Sequence, residues 1–255
     1  MVDGGTLTLG NINLASSESI SLTGTGGGSG ALQGSGVSSV AASNVITLAG
    51  NATIASVGAL TINGAIGESG GARSLTKSGF GVLTLAGNNS YSGATIVSDG
   101  TLAAGAADVL DNSSGVNLSV SGATLNLAGF NQSLSKLDGV NGAIVTNNAG
   151  NTNDTATLTI SAGGGSYVGD ITQTATDTLS LTKSGTGTQS LGVVNGTYAG
   201  ATTISGGTLS IATDASLGTA VGATSVNGGT LNLNGMGVTG GETINVSGTG
   251  DAGVG

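Results

Sequence analysis

Thirteen Asp and Glu residues, four Lys and Arg residues and three Tyr residues carry nearly all the chemistry available to this 255-residue chain, which has no His and no Cys. Asp108 and Asp111, in AADVLDNSSG, form a carboxylate pair of the kind that does acid/base work in glycoside hydrolysis. Such clusters recruit several acids and basic partners, and Arg73 is the lone arginine, so a polar loop between strands is the preferred reading. Asn151, Asn153 and Asp154 in GNTNDTA could offer oxygens to Ca²⁺. A calcium site takes six to eight oxygens, and neither an EF-hand nor a GGxGxD repeat is present, so an Asn-rich turn is preferred. Lys77 and Lys183 recur in one local motif, either as ligand-facing cations or as exposed lysines that discourage edge pairing. Tyr91 and Tyr198 recur likewise, either as glycan-stacking platforms or as packing residues. The glycines of Gly24–Gly36 lack the Lys and the helix that a phosphate loop needs, and read as a flexible loop. Rows of Thr-x-Thr are too unevenly spaced for ice binding and read as solvated strand faces. The expectation is no catalytic residue, no cofactor and no metal.

What is missing narrows the chemistry further. Without Cys or His there is no disulfide, no thiolate, no Ser-His-Asp triad and no His-ligated zinc. The formal net charge is −9 with no basic run, so a phosphate backbone would be repelled and no nucleic-acid partner is expected. The apolar runs are far shorter than the ~20 residues of a spanning helix, so no membrane insertion is expected of this segment. The first residues, MVDGGTLTLG, lack the basic and apolar regions of a signal peptide.

The elements that would position these residues are strands. Glycine makes up 51 positions, a warning of disorder, but mean hydropathy is +0.30 and the apolar residues alternate. GGTLTLG, GALTING, GVLTLAG, GATLNLAG and GGTLNLNG each place aliphatics at i and i+2, on one strand face, with Thr or Asn opposite. Asn-Gly steps at Asn63, Asn141, Asn195, Asn227 and Asn234 punctuate them as turn signals. No stretch keeps a 3.6-residue period, so helix content should be near nil.

Longer-range repetition then sets the architecture. Leu75-Thr-Lys77-Ser-Gly79 matches Leu181-Thr-Lys183-Ser-Gly185, Tyr91-Ser-Gly93-Ala-Thr95 matches Tyr198-Ala-Gly200-Ala-Thr202, and Gly100-Thr-Leu102 matches Gly207-Thr-Leu209. Residues 4–9 align with 228–233 in the same way. The chain holds about two copies of a unit of roughly 110 residues, as a fragment of a longer array would. Low charge, in-phase strand–turn units and few aromatics suggest an all-β chain. The reading is a right-handed parallel β-helix running continuously over 1–255, with repeat copies at 75–105 and 181–213. Stacked coils of ~20–25 residues would make a rod of about eleven coils. The alternative is a pair of β-sandwiches, which normally need more aromatic core.

The unit LTKSGFGVLTLAGNNSYSGATIVSDGTL resembles the passenger-associated transport repeat, also called the autotransporter-associated β-strand repeat. Its pattern is approximately L-x-K-x-G-x-G-x-L-x-L-x-G-x-N-x-Y-x-G-x-T-x-I-x-x-G-x-L. The first copy keeps Lys77, Gly79, Tyr91 and Gly93 among its positions, and the second keeps Lys183, Gly185, Tyr198 and Gly200. The second departs at Gln189, where the pattern has an aliphatic, and in GVVNG, which carries an extra residue. The resemblance implies a passenger exported as part of a longer precursor to the surface of a Gram-negative-type bacterium. Twofold repetition and the missing catalytic side chains point to a structural stalk as the function, with an adhesive module as the alternative and a carbohydrate-active enzyme as a third. The expected partners are adjoining coils of the parent chain, a glycan or cell-surface protein, and further copies of this chain through unpaired coil edges.

Overall fold

The computed structural model describes residues 2–150 and 153–248. Every strand pairing among the described residues is parallel. A β-sandwich is built from antiparallel strands, so that alternative falls. The chain is a β-solenoid of about eleven turns, with two short 3₁₀ turns at Gly26–Gly28 and Asp214–Leu217 and no α-helix among the described residues.

Each turn passes three sides. Side one carries Leu7–Gly10, Leu32–Ser35, the second half of Val45–Ser56, Leu75–Ser78, Thr95–Val97 and Val116–Leu118. It continues through Leu137–Gly139, Ser166–Tyr167, Thr188–Leu191, Thr208–Ile211 and Thr230–Asn232. Side two runs from Asn13–Leu14 through Val82–Leu85 to Asp170–Gln173. Side three begins with Ser19–Gly24 and Ile66–Glu68, both paired to residues 46–48, and resumes from Gln132–Leu134 to Ile244–Ser247.

Alternation decides what lies inside. The inward residues of adjacent turns fall in register, so each core row is a ladder along the axis. On side two, Leu60, Leu83, Leu102, Leu125, Val145 and Ile171 stack rung on rung, all buried. Each contributes about 1.5–3 kcal/mol relative to exposure, but only when turns above and below cover it. Outward Thr, Ser and Asn fill the opposite faces of these strands.

Corner glycines are fixed by contact between turns. A Cβ on Gly58 would sit 2.2 Å from the Gly36 carbonyl oxygen, and one on Gly81 would sit 2.0 Å from that of Gly58. The stretch Gly24–Gly36, expected as a flexible loop, is instead packed structure. Gly26 and Gly30 are buried, and Leu32–Ser35 pairs on both sides.

The two repeat copies do not lie on the same sides. In the first, the lysine-bearing strand Leu75–Ser78 is on side one, Val82–Leu85 is on side two, and side three is irregular. In the second, the lysine-bearing strand Thr178–Lys183 is on side three, Thr188–Leu191 is on side one, and side two is irregular. Between them, residues 132–183 place a strand on every side. The copies are therefore four and two-thirds turns apart, and the second is rotated by one side about the axis. By contrast, the match of residues 4–9 to 228–233 keeps its side, since Leu7–Gly10 and Thr230–Asn232 both lie on side one.

Gly81→Ala is expected to cost about 1–3 kcal/mol, because the methyl meets backbone that cannot retreat. Gly237→Ala, with open space around the Cβ, should stay within about 0.5 kcal/mol of the parent. Thermal unfolding followed by circular dichroism measures both.

Candidate functional site: the buried polar positions of the repeat

Lys77 and Lys183 were expected at the surface. Both are 0% exposed. Lys77 is a rung of an aliphatic ladder, between Ile54 and Val97, and Lys183 is a rung between Ile160 and Ile204. Strand alternation forces this, because Leu75 and Leu181, two residues earlier, already point inward. Neither lysine is within ion-pair distance of a carboxylate among the described residues, where Lys136 pairs with Asp138 at 3.0 Å.

The ammonium groups go to backbone carbonyls instead. Lys77 Nζ donates to the oxygens of Ser78 at 2.9 Å, Asp99 at 3.0 Å and Gly79. Lys183 Nζ donates to Ser184, to Gly185 at 3.4 Å and to Gly206 at 3.4 Å. Gly79 and Gly185 take φ of +75° and +63°, which turns the chain at these corners. Added Cβ atoms there would meet the carbonyl oxygens of Ser56 and Ser161 in the preceding turn. Each lysine thus ties its own corner to the next turn, satisfying carbonyls that the strand ladder leaves behind. Burial pushes the Lys77 ammonium down to about 8, and it lowers Lys183 too.

Tyr91 and Tyr198 are core residues, so neither is a stacking platform for a glycan. Each hydroxyl lies 2.8 Å from the threonine Oγ1 four residues on, Thr95 or Thr202. Thr95 passes the bond to Ser113, whose Oγ lies 2.8 Å from the Gly115 carbonyl oxygen, while the Tyr198 hydroxyl donates to the Ser216 carbonyl at 2.9 Å. Burial pushes Tyr91 up to about 12 and raises Tyr198 as well. Gly93 and Gly200, between tyrosine and threonine, have the previous turn's backbone where a Cβ would be.

Side-chain amides complete the interior, a role that motif spacing alone does not reveal. On the irregular third side of the first repeat, Asn89 accepts from Ile66 N and donates to Val109 O, both at 2.9 Å. Gln132 then accepts from Val109 N and donates to Ala106 O. Two amides thereby stand in for the missing strand. Gln189, which departs from the repeat pattern, does the same across a longer gap. Its amide accepts from Leu137 N at 3.2 Å and donates to Leu137 O at 2.7 Å, where the intervening strand Ser166–Tyr167 is too short to reach. Tyr167, not singled out by spacing, fills the space above Gly139, where any Cβ would meet its ring.

The remaining candidates do not converge. Asp108 and Asp111 lie exposed in a turn between buried Val109 and Leu110 and their neighbours; Asp108 accepts from Ser133 N, and Asp111 from its neighbour Asn112. Asn151 lies outside the described residues. Asp154 is held by its backbone, its N–H donating to buried Asp177, which also accepts from Thr174 and Ala149. These hydrogen bonds hold the Asp177 carboxyl below its ordinary range. Glu68 is lowered similarly by Ser92. No group of three or more Asp or Glu residues is placed to hold a metal among the described residues. The second copy's GVVNG insertion moves Asn195 to the surface, where it bonds Asp170 rather than taking the buried place of Asn89.

An all-parallel solenoid whose repeat residues close its corners from within defines a β-solenoid repeat protein. Residues 75–104 and 181–211 match the passenger-associated transport repeat. The chain is also 41% identical over 146 residues to the "Adhesin BmaC autotransporter" of Brucella suis biovar 1 (strain 1330), an overlap covering 56% of this chain and 4% of that protein. No solved structure matches it. The chain thus carries two passenger-associated transport repeats and is similar over part of its length to an autotransporter adhesin.

Lys77→Met keeps the alkyl stem and removes the ammonium from three carbonyls, and should cost roughly 2–4 kcal/mol in denaturant unfolding. The pH dependence has a definite sign. Between about 8 and the 10.5 of a free lysine, the folded chain binds fewer protons at Lys77 than the unfolded chain does, so this residue adds stability as pH rises. The stability gap between parent and variant should therefore widen from pH 8 to 10.5; a constant gap would contradict the buried-ammonium account. Tyr91→Phe, which loses one buried hydrogen bond and no packing, should cost about 1 kcal/mol by the same measurement.

Proposed function

We propose that this chain is a non-catalytic rod in an exported, surface-located passenger, and that it acts as a spacer holding other parts of that passenger away from the cell. The observation that carries this reading is where the repeated side chains go. Lys77, Tyr91, Lys183 and Tyr198, the residues a recurring binding site would use, all point into the core and serve turn closure. Repetition here has a mechanical reason, since each turn must present the same inner surface to the next.

An adhesive module is the second reading, favoured by the similarity to the Brucella autotransporter adhesin, of which this chain spans 4%. On that reading the outward Thr, Ser and Asn rows and the irregular sides would do the binding. The two readings separate in one experiment. Purified chain, shown by circular dichroism to be folded, is applied to a glycan array and to cultured host cells. The spacer reading expects no binding above a denatured control. Saturable binding to one glycan class or to cells would replace it with the adhesive one.

A further inference from the structure

We propose that the edge between sides one and two is a lateral contact surface for a second copy of this chain. Successive turns cross this edge at Val37, Val57, Phe80 with Val82, Val120, Val140, Val168 and Val194, and all eight side chains are solvent-exposed, Val37 at 74% and Phe80 at 73%. Backbone hydrogen bonds place them on consecutive turns: Val57 N to Gly34 O, Val82 N to Gly58 O, Val140 N to Leu118 O and Val168 N to Gly139 O. The row thus follows the axis as a ridge, interrupted at one turn by exposed Asp99.

The ridge belongs to the surface and not to the sequence repeat. In the first copy it is supplied by Phe80 and Val82, from SGFGV. The second copy is rotated by one side, so its equivalent residues, Thr186 and Thr188, lie at a different edge. Val194, from the GVVNG insertion, takes up the row instead. The edge between sides three and one is Gly, Ser and Thr through residues 184–188 and 205–207.

Area and charge select the occupant. Eight exposed side chains offer at most roughly 600 Å² per copy, so complete contact of two copies would bury up to about 1,200 Å², the lower end of a specific interface. The chain carries −9 overall, yet the ridge itself holds no lysine or arginine, and the charges beside it are Asp99, Asp170 and Asp138, the last paired with Lys136. Two such acidic rods can approach closely only along an edge that is nearly free of charge. The ridge recurs at the turn spacing, straddling the corner with Val37 and Val82 on one side and Val57, Val140 and Val168 on the other, so it matches a second copy of itself, and contact there leaves the spacer reading intact.

The test is sedimentation velocity on the full chain at about 50 μM, in ~0.15 M and ~0.5 M NaCl. The expected result is a dimer, tighter at the higher salt because the residual carboxylate repulsion is screened. Phe80→Asp combined with Val140→Asp should weaken it at least tenfold with an unchanged circular dichroism spectrum, since both side chains are exposed. With the two-fold axis along the ridge, the copies run parallel and in register, so in this cysteine-free chain Val57→Cys and Val140→Cys should each give disulfide-linked dimers on mild oxidation, and Thr186→Cys should not. A parent chain that is monomeric at both salts overturns the proposal. So does a dimer untouched by the double variant, which would place association at the coil ends or on another edge.

Discussion

A turn of some twenty residues cannot close a core alone, and the rest of this structure depends on that fact. Its two or three short strands mostly present one or two inward aliphatics each, enough for a rung but not for an interior. Stability comes from covering each rung with the next, so registers such as Leu60, Leu83, Leu102 and Leu125 matter more than the identity of any one leucine. The same constraint explains the glycines. Turns that stack in direct register bring corner backbone against corner backbone, and at Gly58 and Gly81 no side chain fits between.

Stacked strands satisfy their own peptide groups, but corners and irregular sides do not. The chain meets that deficit with side chains placed inside. Lys77 and Lys183 gather corner carbonyls, Tyr91 reaches the following turn through Thr95 and Tyr198 reaches it directly, and Asn89, Gln132 and Gln189 imitate a missing peptide. An ammonium in an aliphatic ladder is costly to desolvate, and its depressed proton affinity reports that cost. Three carbonyl dipoles and the more distant Asp99 carboxylate offset part of it, with no carboxylate within ion-pair distance.

The rotation of the second repeat follows from turn length. Turns average a little over twenty residues, and the spacing between the copies is not a whole number of them. Residues 132–183 absorb the mismatch by forming strands on all three sides, after which the irregular side moves from the third to the second. The rod therefore shows a different loop-bearing side in each half. A surface property such as the Val37–Val194 ridge must be read along the axis and cannot be read from motif alignment.

Period-two alternation in GGTLTLG and its relatives determined by itself that the chain is all-β, because alternation fixes which residues face inward whatever the neighbours are; the shortage of aromatics and the in-phase repeats favoured a solenoid, and the parallel pairing decided against a sandwich. They also located the corner glycines and the repeat positions. They did not determine the burial of Lys77 and Lys183. Charge argues for the surface there, and only stacking shows that the strand's phase outweighs it and that three carbonyls wait at the corner. Nor could they determine the peptide-mimicking role of Gln189, which joins residues fifty-two apart in sequence. The side on which each repeat lies depends on a sum of turn lengths, and that sum is settled only when every turn has closed on the one before.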